Sequence, residues 1–171
     1  MNKNKSITQR FKEHNATKKL ASQKKRVLLT VSGGLDSMVM CHLFSAVRYP
    51  FAIAHCNFQL RGEEANGDEA LVKTLADVYG VTVFTKRFDT KAYAEEKGLS
   101  IQLAARELRY NWFEELRKEH KLDNIATAHH LNDNIETILF NLTKGTGIRG
   151  LRGIPVKQGK IIRPMLFASR E

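Results

Sequence analysis

The stretch RVLLTVSGGLDS, residues 26–37, joins a short apolar run to a turn that contains two glycines. The run from Arg26 to Val31 ends at this turn, which predicts a buried strand. The residues from Asp36 to Val47 are mostly apolar and contain no glycine or proline, which predicts a helix. A strand, a glycine turn and a helix in this order are typical of the first unit of an α/β fold.

The rest of the chain repeats this alternation. Further strands are predicted at residues 51–55, 81–85, 124–128 and 161–162, and further helices at residues 63–79, 90–97, 101–119 and 132–141. The pattern predicts a Rossmann-like α/β fold, in which a parallel sheet carries helices on both faces. Ligands bind such sheets at the carboxyl ends of the strands. We therefore expect the loops at residues 32–37 and 128–136 to lie side by side, with the first and fourth strands as neighbours.

Two of the predicted helices carry apolar residues at helical spacing, and we expect these faces to point inward. In the longer helix the apolar set is Ile101, Ala105, Leu108, Trp112 and Leu116. In the last predicted helix the apolar set is Ile135, Ile138, Leu139 and Leu142.

The composition is that of a soluble globular domain. The chain has 171 residues, of which 42% are hydrophobic, and this length suits one domain. No run approaches the ~20 apolar residues that a membrane helix needs, so no membrane partner is expected. Cys41 and Cys56 form no CxxC pair and lie in apolar stretches, which indicates buried thiols and a cytoplasmic location.

The net charge of +10 is concentrated at the two ends of the chain. Residues 1–26 contain nine Lys/Arg and one Glu, and residues 144–171 contain seven Lys/Arg and one Glu. Clustered positive charge favours a polyanionic partner such as RNA. We predict a basic arm at residues 1–25 and a catalytic domain at residues 26–171. The alternative for the arm is a solvated tail.

The glycine turn has the features of a phosphate-binding site. Its predicted ligands are Ser32, Gly33, Gly34, Leu35, Asp36 and Ser37. Glycines permit unusual backbone angles and leave room for a phosphate, and successive N–H groups at a helix N-terminus attract anions. An aspartate in an anion site is explained if Mg²⁺ bridges Asp36 to the phosphates. The alternative is a strand–turn–helix link in which Asp36 is only a cap.

The loop after the fourth strand reads HHLNDNIET, residues 129–137. On a helix that starts near Asn132, Asp133 and Glu136 are three residues apart and share a face. Such a pair can hold Mg²⁺ or act as a base. The alternative is that both acids only favour the positive end of the helix dipole. Adjacent histidines rarely chelate one ion, so His129 and His130 do not indicate a transition-metal site.

Two other features are more ambiguous. Arg106 and Arg109 lie off the apolar stripe of their helix and could meet phosphate, or could pair with Glu107 or Glu114. The glycines Gly145, Gly147 and Gly150 spell GxGxxG, but they follow a helix instead of a strand, so they do not indicate a dinucleotide site. We interpret the segment from Gly145 to Gly153 as a mobile loop over the site.

The SGGLDS turn is similar to the pyrophosphate loop of the N-type ATP pyrophosphatases, the PP-loop superfamily. Further motifs resemble the tRNA(Ile)-lysidine synthetases in order and spacing, and they are HCNFQLR at 55–61, ARELRYNWF at 105–113, AHHLNDNIET at 128–137, GTGIRGL at 145–151 and RPML at 163–166. The resemblance covers about Arg26 to the end of the chain. It implies an adenine nucleotide alpha hydrolase-like fold and places Arg106, His130, Asp133 and Glu136 at active-site positions.

The resemblance also implies a reaction and its partners. These ligases use ATP and Mg²⁺ to adenylate the wobble cytidine of tRNA(Ile) with a CAU anticodon, and free lysine then displaces AMP to form lysidine. By resemblance the metal ligands are Asp36 and Asp133. Asn132 stands where the family often has a carboxylate, so Asp133 is the acid of this motif that remains to bind the metal. Phe58 stands where the family often has histidine, so no catalytic histidine is placed there. We expect further tRNA-binding domains beyond Glu171, and a homodimer is an open alternative.

Two other functions remain open at this point. One is a sulfur-inserting tRNA enzyme on the same fold, which usually needs CxxC or a reactive cysteine. The other is an RNA-binding module without catalysis, which would use the basic ends and leave the intact SGGLDS turn without a purpose. Pyrophosphate release from ATP in the presence of tRNA and lysine separates the three.

Overall fold

A sheet of six strands runs through the computed structural model, which describes residues 5–145 and 151–170. The strands are β1 Val27–Thr30, β2 Phe51–Asn57, β3 Val83–Arg87, β4 Asn124–Ala126, β5 Lys157–Gln158 and β6 Ile161–Ile162. The helices are α1 Ile7–Thr17, α2 Leu35–Ala46, α3 Glu63–Tyr79, α4 Thr90–Lys97, α5 Ile101–Glu119 and α6 Leu131–Thr143. The strand order is β3-β2-β1-β4-β6-β5. The predicted α/β fold is confirmed.

The sheet is parallel except at one edge. β1 pairs in parallel with β2 on one side and with β4 on the other, as expected of the first and fourth strands. β6 continues the parallel order beside β4. The prediction of a wholly parallel sheet is wrong for β5, which turns back antiparallel to β6. Its two residues are exposed and polar, so no apolar pattern marks them as a strand in the sequence.

Helices cover both faces of the sheet, as predicted. Because side chains alternate along a strand, Leu28 and Leu29 of β1 enter different clusters. Leu29 packs with Phe44 of α2 on one face, and Leu28 packs with Trp112 of α5 on the other. No helix in the described ranges has the length and apolar character needed to cross a membrane.

The predicted basic arm contains a helix that packs on the domain. Ser6 and Gln9 form a capping box at the start of α1, which satisfies N–H groups that the first helical turn leaves unpaired. Phe11 is fully buried and meets Phe44 edge-on, with ring centroids 5.4 Å apart. Leu20 is buried in the same cluster. The described part of the arm is therefore not a free tail, although most of its lysines are exposed.

The two apolar helix faces behave differently. In α5, Ala105, Trp112 and Leu116 are buried as predicted and Leu108 is partly buried, but the prediction is wrong for Ile101, which is exposed. The prediction that the apolar residues of α6 point inward is wrong, because α6 has no buried residue. Ile135, Leu139 and Leu142 are about half exposed or more, and Ile138 is partly buried. None of these residues belongs to the two buried clusters on the sheet, so α6 is not covered by either of them.

Candidate active site

The turn between β1 and α2 is shaped by one glycine more than by the other. Gly33 has φ of +94°, and a Cβ there would lie 2.9 Å from Asp68 Oδ1, so both conformation and space require glycine. Gly34 has an ordinary extended backbone and is the N-cap of α2, with no side-chain cap hydrogen bond. The first N–H groups of α2 are therefore left for another acceptor. This arrangement suits a phosphate.

The two predicted loops meet at a cavity of about 320 Å³. From the first loop the wall includes Ser32, Gly34, Asp36 and Ser37, and from the second it includes His129 and Asp133. Of the predicted cofactor ligands, Gly33 and Leu35 are not part of this wall, and Leu35 is exposed. The side-by-side placement of the loops is confirmed, because His130 Nε2 lies 3.7 Å from Asp36 Oδ2.

The two adjacent histidines have different surroundings. His130 is buried and caps α6: its Nδ1 accepts from the Asp133 N–H at 3.4 Å, and its own N–H donates to Asp133 Oδ2 at 2.8 Å. His130 thus lies between Asp36 and Asp133 without lining the cavity.

The side chain of His129, which the sequence motif left without a role, reaches the cavity. Its Nδ1 is 2.8 Å from Thr127 Oγ1. Burial lowers the pKa of His129, and the nearby Arg163 guanidinium lowers it further. The imidazole is therefore neutral at pH 7.

A second cavity of about 530 Å³ adjoins the first. His129 and Asp133 line both cavities, and Glu136 and Phe140 line only the second. Asp133 and Glu136 therefore share a face of α6, as their spacing predicted. Asp133 lies at the junction of the two cavities, and Glu136 lies one helical turn away from it.

Arg109, and not Arg106, reaches the first cavity. Its guanidinium lies over the Phe58 ring, 5.1 Å from the centroid. Arg106, which was predicted to be catalytic, lies over the Tyr110 ring instead and lines neither cavity. Residues three apart on a helix differ in direction by only about 60°, so the sequence spacing alone did not choose between them.

The acidic partners that were considered for these arginines are engaged elsewhere. Glu114 pairs with Arg117, whose Nε and Nη2 each donate to it at 2.7 Å. Glu107 accepts from the Tyr93 hydroxyl. The alternative of surface ion pairs for Arg106 and Arg109 is therefore not what the structure shows.

Cys56 lies in the wall of the first cavity but is not activated. Burial raises the pKa of its thiol to about 12, against the smaller opposing effects of Arg109 and Lys86. A thiol with this pKa is neutral at pH 7 and is a poor nucleophile.

The acids of the first cavity match Mg²⁺ better than a transition metal. Among the described residues no cluster of three His, Cys, Asp or Glu side chains could hold a metal ion. Mg²⁺ needs fewer protein ligands, because it is usually held by one or two carboxylates together with substrate phosphates. Asp36 and Asp133 line the same cavity as the phosphate-type turn, so the residues present fit this ion.

The amides on either side of Asp133 act as anchors. Asn134 Oδ1 accepts from the Ile154 N–H at 2.6 Å, and Asn132 Oδ1 accepts from the Arg170 N–H at 3.0 Å. They hold the start of α6 to segments from the C-terminal part of the chain. Gly147 and Gly150 lie outside the described residues, so the predicted mobile loop is described only at its two ends.

The sequence matches the family model described as the PP-loop domain over residues 3–171. The chain belongs to the PP-loop domain family. The match includes the turn at residues 32–37, whose role as the PP-loop stays a prediction, and it extends through the helical segment before β1. The same family model covers the second loop and the C-terminal segment beside it.

Three curated relatives of this PP-loop chain are named tRNA(Ile)-lysidine synthase. The one from Bacteroides thetaiotaomicron is 49% identical over 146 residues, which are 85% of this chain and 34% of the relative. The one from Parabacteroides distasonis is 48% identical and covers 90% of this chain and 35% of the relative. The one from Chlorobaculum tepidum is 46% identical, with coverage of 95% and 50%. The chain thus spans about a third to a half of these relatives.

Two solved structures share the fold of this PP-loop chain. The U34-tRNA thiolase NcsA from Methanococcus maripaludis superposes with a TM-score of 0.70 at 23% identity, over 93% of this chain and 58% of that chain. An NH3-dependent NAD synthetase from Campylobacter jejuni gives 0.62 at 14% identity, with coverage of 96% and 67%. At these identities the likeness supports the Rossmann-like fold alone.

Proposed function

We propose that this chain is the catalytic domain of a tRNA(Ile)-lysidine synthetase, a ligase that uses ATP and lysine to modify the wobble cytidine of tRNA(Ile) with a CAU anticodon. The observation that carries the proposal is the convergence of the PP-loop and Asp133 on one cavity, in a chain 46–49% identical to relatives of that name. We place the reaction in the cytoplasm. A homodimer and tRNA-binding domains beyond Glu171 stay predictions.

In this proposal the first cavity binds ATP. The phosphates lie at the N-terminus of α2, where unpaired N–H groups and the hydroxyl of Ser32 are available. The Ser37 hydroxyl lines the same cavity and donates to the Gly34 carbonyl at 2.7 Å. The apolar part of the wall, which includes Ala54, Phe58 and Phe113, suits a nucleobase. Asp36 and Asp133 would hold Mg²⁺, which when bound neutralises part of the phosphate charge.

The reaction consists of two displacements. The carbon-2 oxygen of cytidine attacks the α-phosphorus of ATP, the bond to the β-phosphate oxygen breaks, and pyrophosphate leaves. The ε-amine of lysine then attacks carbon 2, and AMP leaves with the oxygen. Arg109 is placed to offset negative charge on the phosphate during both steps. In this proposal Arg106 and His130 act from around the site. The charge of Arg106 helps to lower the pKa of His129, and His130 holds Asp133 near Asp36.

The second cavity is the proposed site of the incoming lysine. A lysine amine has a pKa of about 10.4, so only about one molecule in 10³ is neutral at pH 7 and able to attack. Glu136 lines this cavity beside Asp133, and a carboxylate here would attract the ammonium and accept its proton. Neutral His129 lies at the junction and adds no positive charge that would repel the amine.

The primary test is the formation of lysidine by this chain. A tRNA(Ile) transcript with a CAU anticodon is incubated with ATP, Mg²⁺ and lysine, and the digested nucleosides are analysed by mass. We expect lysidine and one pyrophosphate per product. Consumption of ATP without a modified cytidine would contradict the proposal.

Asp36→Asn should keep the fold and lose pyrophosphate release.

The role of Glu136 is tested in a single turnover with radiolabelled ATP. Glu136→Gln should slow lysine transfer more than adenylation, so that adenylated tRNA accumulates. The matched control is Glu95→Gln, since Glu95 is an exposed acid on α4 away from both cavities. If Glu136→Gln blocks adenylation and no intermediate forms, Glu136 serves the nucleotide and the base for the amine is another group.

A sulfur-inserting enzyme is the second candidate, because a U34-tRNA thiolase shares the fold. The neutral, partly buried thiol of Cys56 argues against it. Cys56→Ala should therefore leave pyrophosphate release and lysidine formation unchanged. Loss of activity in this variant, together with incorporation of sulfur into tRNA by the unsubstituted chain, would favour the thiolase.

The basic ends are proposed to touch RNA phosphates. Deletion of residues 1–20 would remove Phe11 and Leu20 from the core, so charge removal is the better test. Lys18→Gln with Lys19→Gln should reduce the slope of log affinity for tRNA against log salt by about 2 if both lysines meet phosphate. An unchanged slope would show that this surface is not used.

The matched control for this test is a double variant of α4. Lys91 and Lys97 are exposed lysines on that helix, and the sequence gives no reason to place them at RNA. Lys91→Gln with Lys97→Gln should therefore leave the salt dependence of tRNA binding unchanged.

A further inference from the structure

The PP-loop has a cationic neighbour that the sequence motifs did not mark as a site residue. Arg170 Nε lies 3.7 Å from Asp36 Oδ1. On the other side of the same carboxylate, His130 Nε2 lies 3.7 Å from Oδ2. The acid of the phosphate-binding turn is therefore approached by a guanidinium from the far end of the chain.

The backbone of this C-terminal segment is fastened along the start of α6. Met165 forms a parallel bridge with His130, and the Leu131 N–H donates to the Ala168 carbonyl at 2.8 Å. The Arg170 N–H then donates to Asn132 Oδ1 at 3.0 Å. These bonds hold the backbone of residue 170 beside the first cavity, and they give Asn132 a function that needs an acceptor oxygen but no negative charge.

The side chain of Arg170 is less constrained than its backbone. Its distance to Asp36 exceeds that of a hydrogen bond, and the side chain is 60% exposed. Attraction to Asp36 keeps the guanidinium near the turn, while its N–H donors remain available to a stronger acceptor. A planar guanidinium is well matched to phosphate oxygens because it can donate two parallel hydrogen bonds.

The charge of the site favours a second guanidinium. ATP brings a highly charged phosphate chain, and the N-terminus of α2 offers only about half a unit charge. Within the described part of the chain, the permanently charged cation in the wall of the first cavity is Arg109 on α5. Arg170 lies at the Asp36 side of the turn, where the helix N-terminus would hold the phosphates.

We propose that Arg170 binds the β- and γ-phosphates of ATP at the PP-loop and that Asn132 positions it for this contact. The inference rests on the proposed use of ATP by this site. It predicts that Arg170 contributes to binding of pyrophosphate and contributes little to binding of AMP, which lacks those phosphates.

The test measures displacement of a fluorescent ATP analogue from the 171-residue chain by inorganic pyrophosphate and by AMP, both with Mg²⁺. Arg170→Ala should weaken pyrophosphate binding about tenfold, the loss of one charge-assisted contact, and AMP binding less than twofold. Arg170→Lys should recover part of the loss. Asn132→Ala should act in the same direction with a smaller effect. The control is Lys157→Ala, which removes an exposed cation of β5 and should change neither ligand.

Two outcomes overturn the inference alone. Equal weakening of pyrophosphate and AMP would mean that Arg170 only maintains the shape of the site. Unchanged or tighter pyrophosphate binding would mean that Arg170 is only a counter-ion of Asp36. Failure of the unsubstituted chain to bind the ATP analogue would refute the proposed function before any variant is compared. If the chain discriminates between pyrophosphate and AMP as expected but forms no lysidine, only the lysine-transfer part of the proposed function is refuted.

Discussion

Helices α5 and α6 both present an apolar stripe in the sequence, but only α5 is covered. α5 buries Trp112, Phe113 and Leu116 against the face of the sheet that Leu28 and Ile125 form. In α6 the exposed fractions of Ile135, Leu139 and Phe140 are 48%, 56% and 61%. The same apolar periodicity therefore occurs in two kinds of helix. Helix α5 packs on the sheet, whereas α6 carries cavity-lining residues on one side and exposes apolar residues to solvent.

The difference arises from where each helix begins. α5 starts after α4 and lies across the sheet, so its stripe faces strands. α6 starts directly after β4, and its first turn is occupied by the His130–Asp133 cap and the two cavities. Apolar periodicity indicates that a helix has a face to bury, and it does not indicate what covers that face.

The largest expected effect is a difference in the loss of stability between a buried residue of α5 and an exposed residue of α6. Phe113→Ala in α5 should lower the free energy of unfolding by about 3 kcal/mol or more, because a buried ring leaves a cavity. Leu139→Ala in α6 should change it by less than about 0.5 kcal/mol, since the side chain is mostly exposed. Urea unfolding followed by circular dichroism measures both. A large loss for Leu139→Ala would mean that α6 is covered in solution.

A smaller effect is expected at the two N-caps. Ser100 caps α5 by accepting from the Leu103 N–H at 3.3 Å, and Ser100→Ala should cost about 1 kcal/mol of global stability. Asp133→Ala removes one of the two hydrogen bonds of the α6 capping box, the bond that Asp133 Oδ2 accepts from the His130 N–H, but α6 can open without exposing the core. Its loss should therefore appear as faster amide hydrogen exchange confined to α6. Equal global losses for the two variants would show that α6 unfolds only with the rest of the domain.

The smallest effect is the pH dependence of stability that His129, the residue before the α6 N-cap, is expected to cause. The pKa of His129 is lowered by burial and by Arg163, so the folded state resists protonation there. The associated stability is complete above pH 6.5, the unfolded value, and declines as the pH falls below it towards the folded pKa. The free energy of unfolding should therefore fall from pH 7 to pH 5, and by less in His129→Gln. An identical fall in the variant would remove His129 as the cause.

Glu69 serves as a reference for this pH range. Its hydrogen bond from Lys73 is the main reason that its pKa is held at about 2, and Arg87 and Asn57 also stabilise the carboxylate. It therefore stays ionised from pH 7 to pH 5 in the folded state, and its contribution to stability is lost only in stronger acid.

The elements were predicted well wherever the signal was local. The bounds of α3, α4 and α5 agree with the sequence prediction, because Gly80 and Gly98 end two of them and Ser100 caps the third. β5 was missed because two exposed polar residues carry no pattern. Asp36, Asp133 and Glu136, which line the two cavities, were singled out in the sequence because acids stand out beside a phosphate turn, and their roles stay predictions. Arg109 was considered together with Arg106 but was not chosen over it, and Arg170 was not singled out, because basic residues are frequent in this chain.

By itself the sequence determined the unit β1–turn–α2. Gly33 must adopt a positive φ, an apolar strand must precede it, and a helix N-terminus must follow, and these are properties of adjacent residues. The tertiary structure decided which of two adjacent histidines faces the cavity, which of two arginines on α5 reaches it, and that Arg170 meets Asp36. These outcomes depend on contacts between residues far apart in the chain, which the order of strands and the rotation of each helix establish only when the sheet has formed.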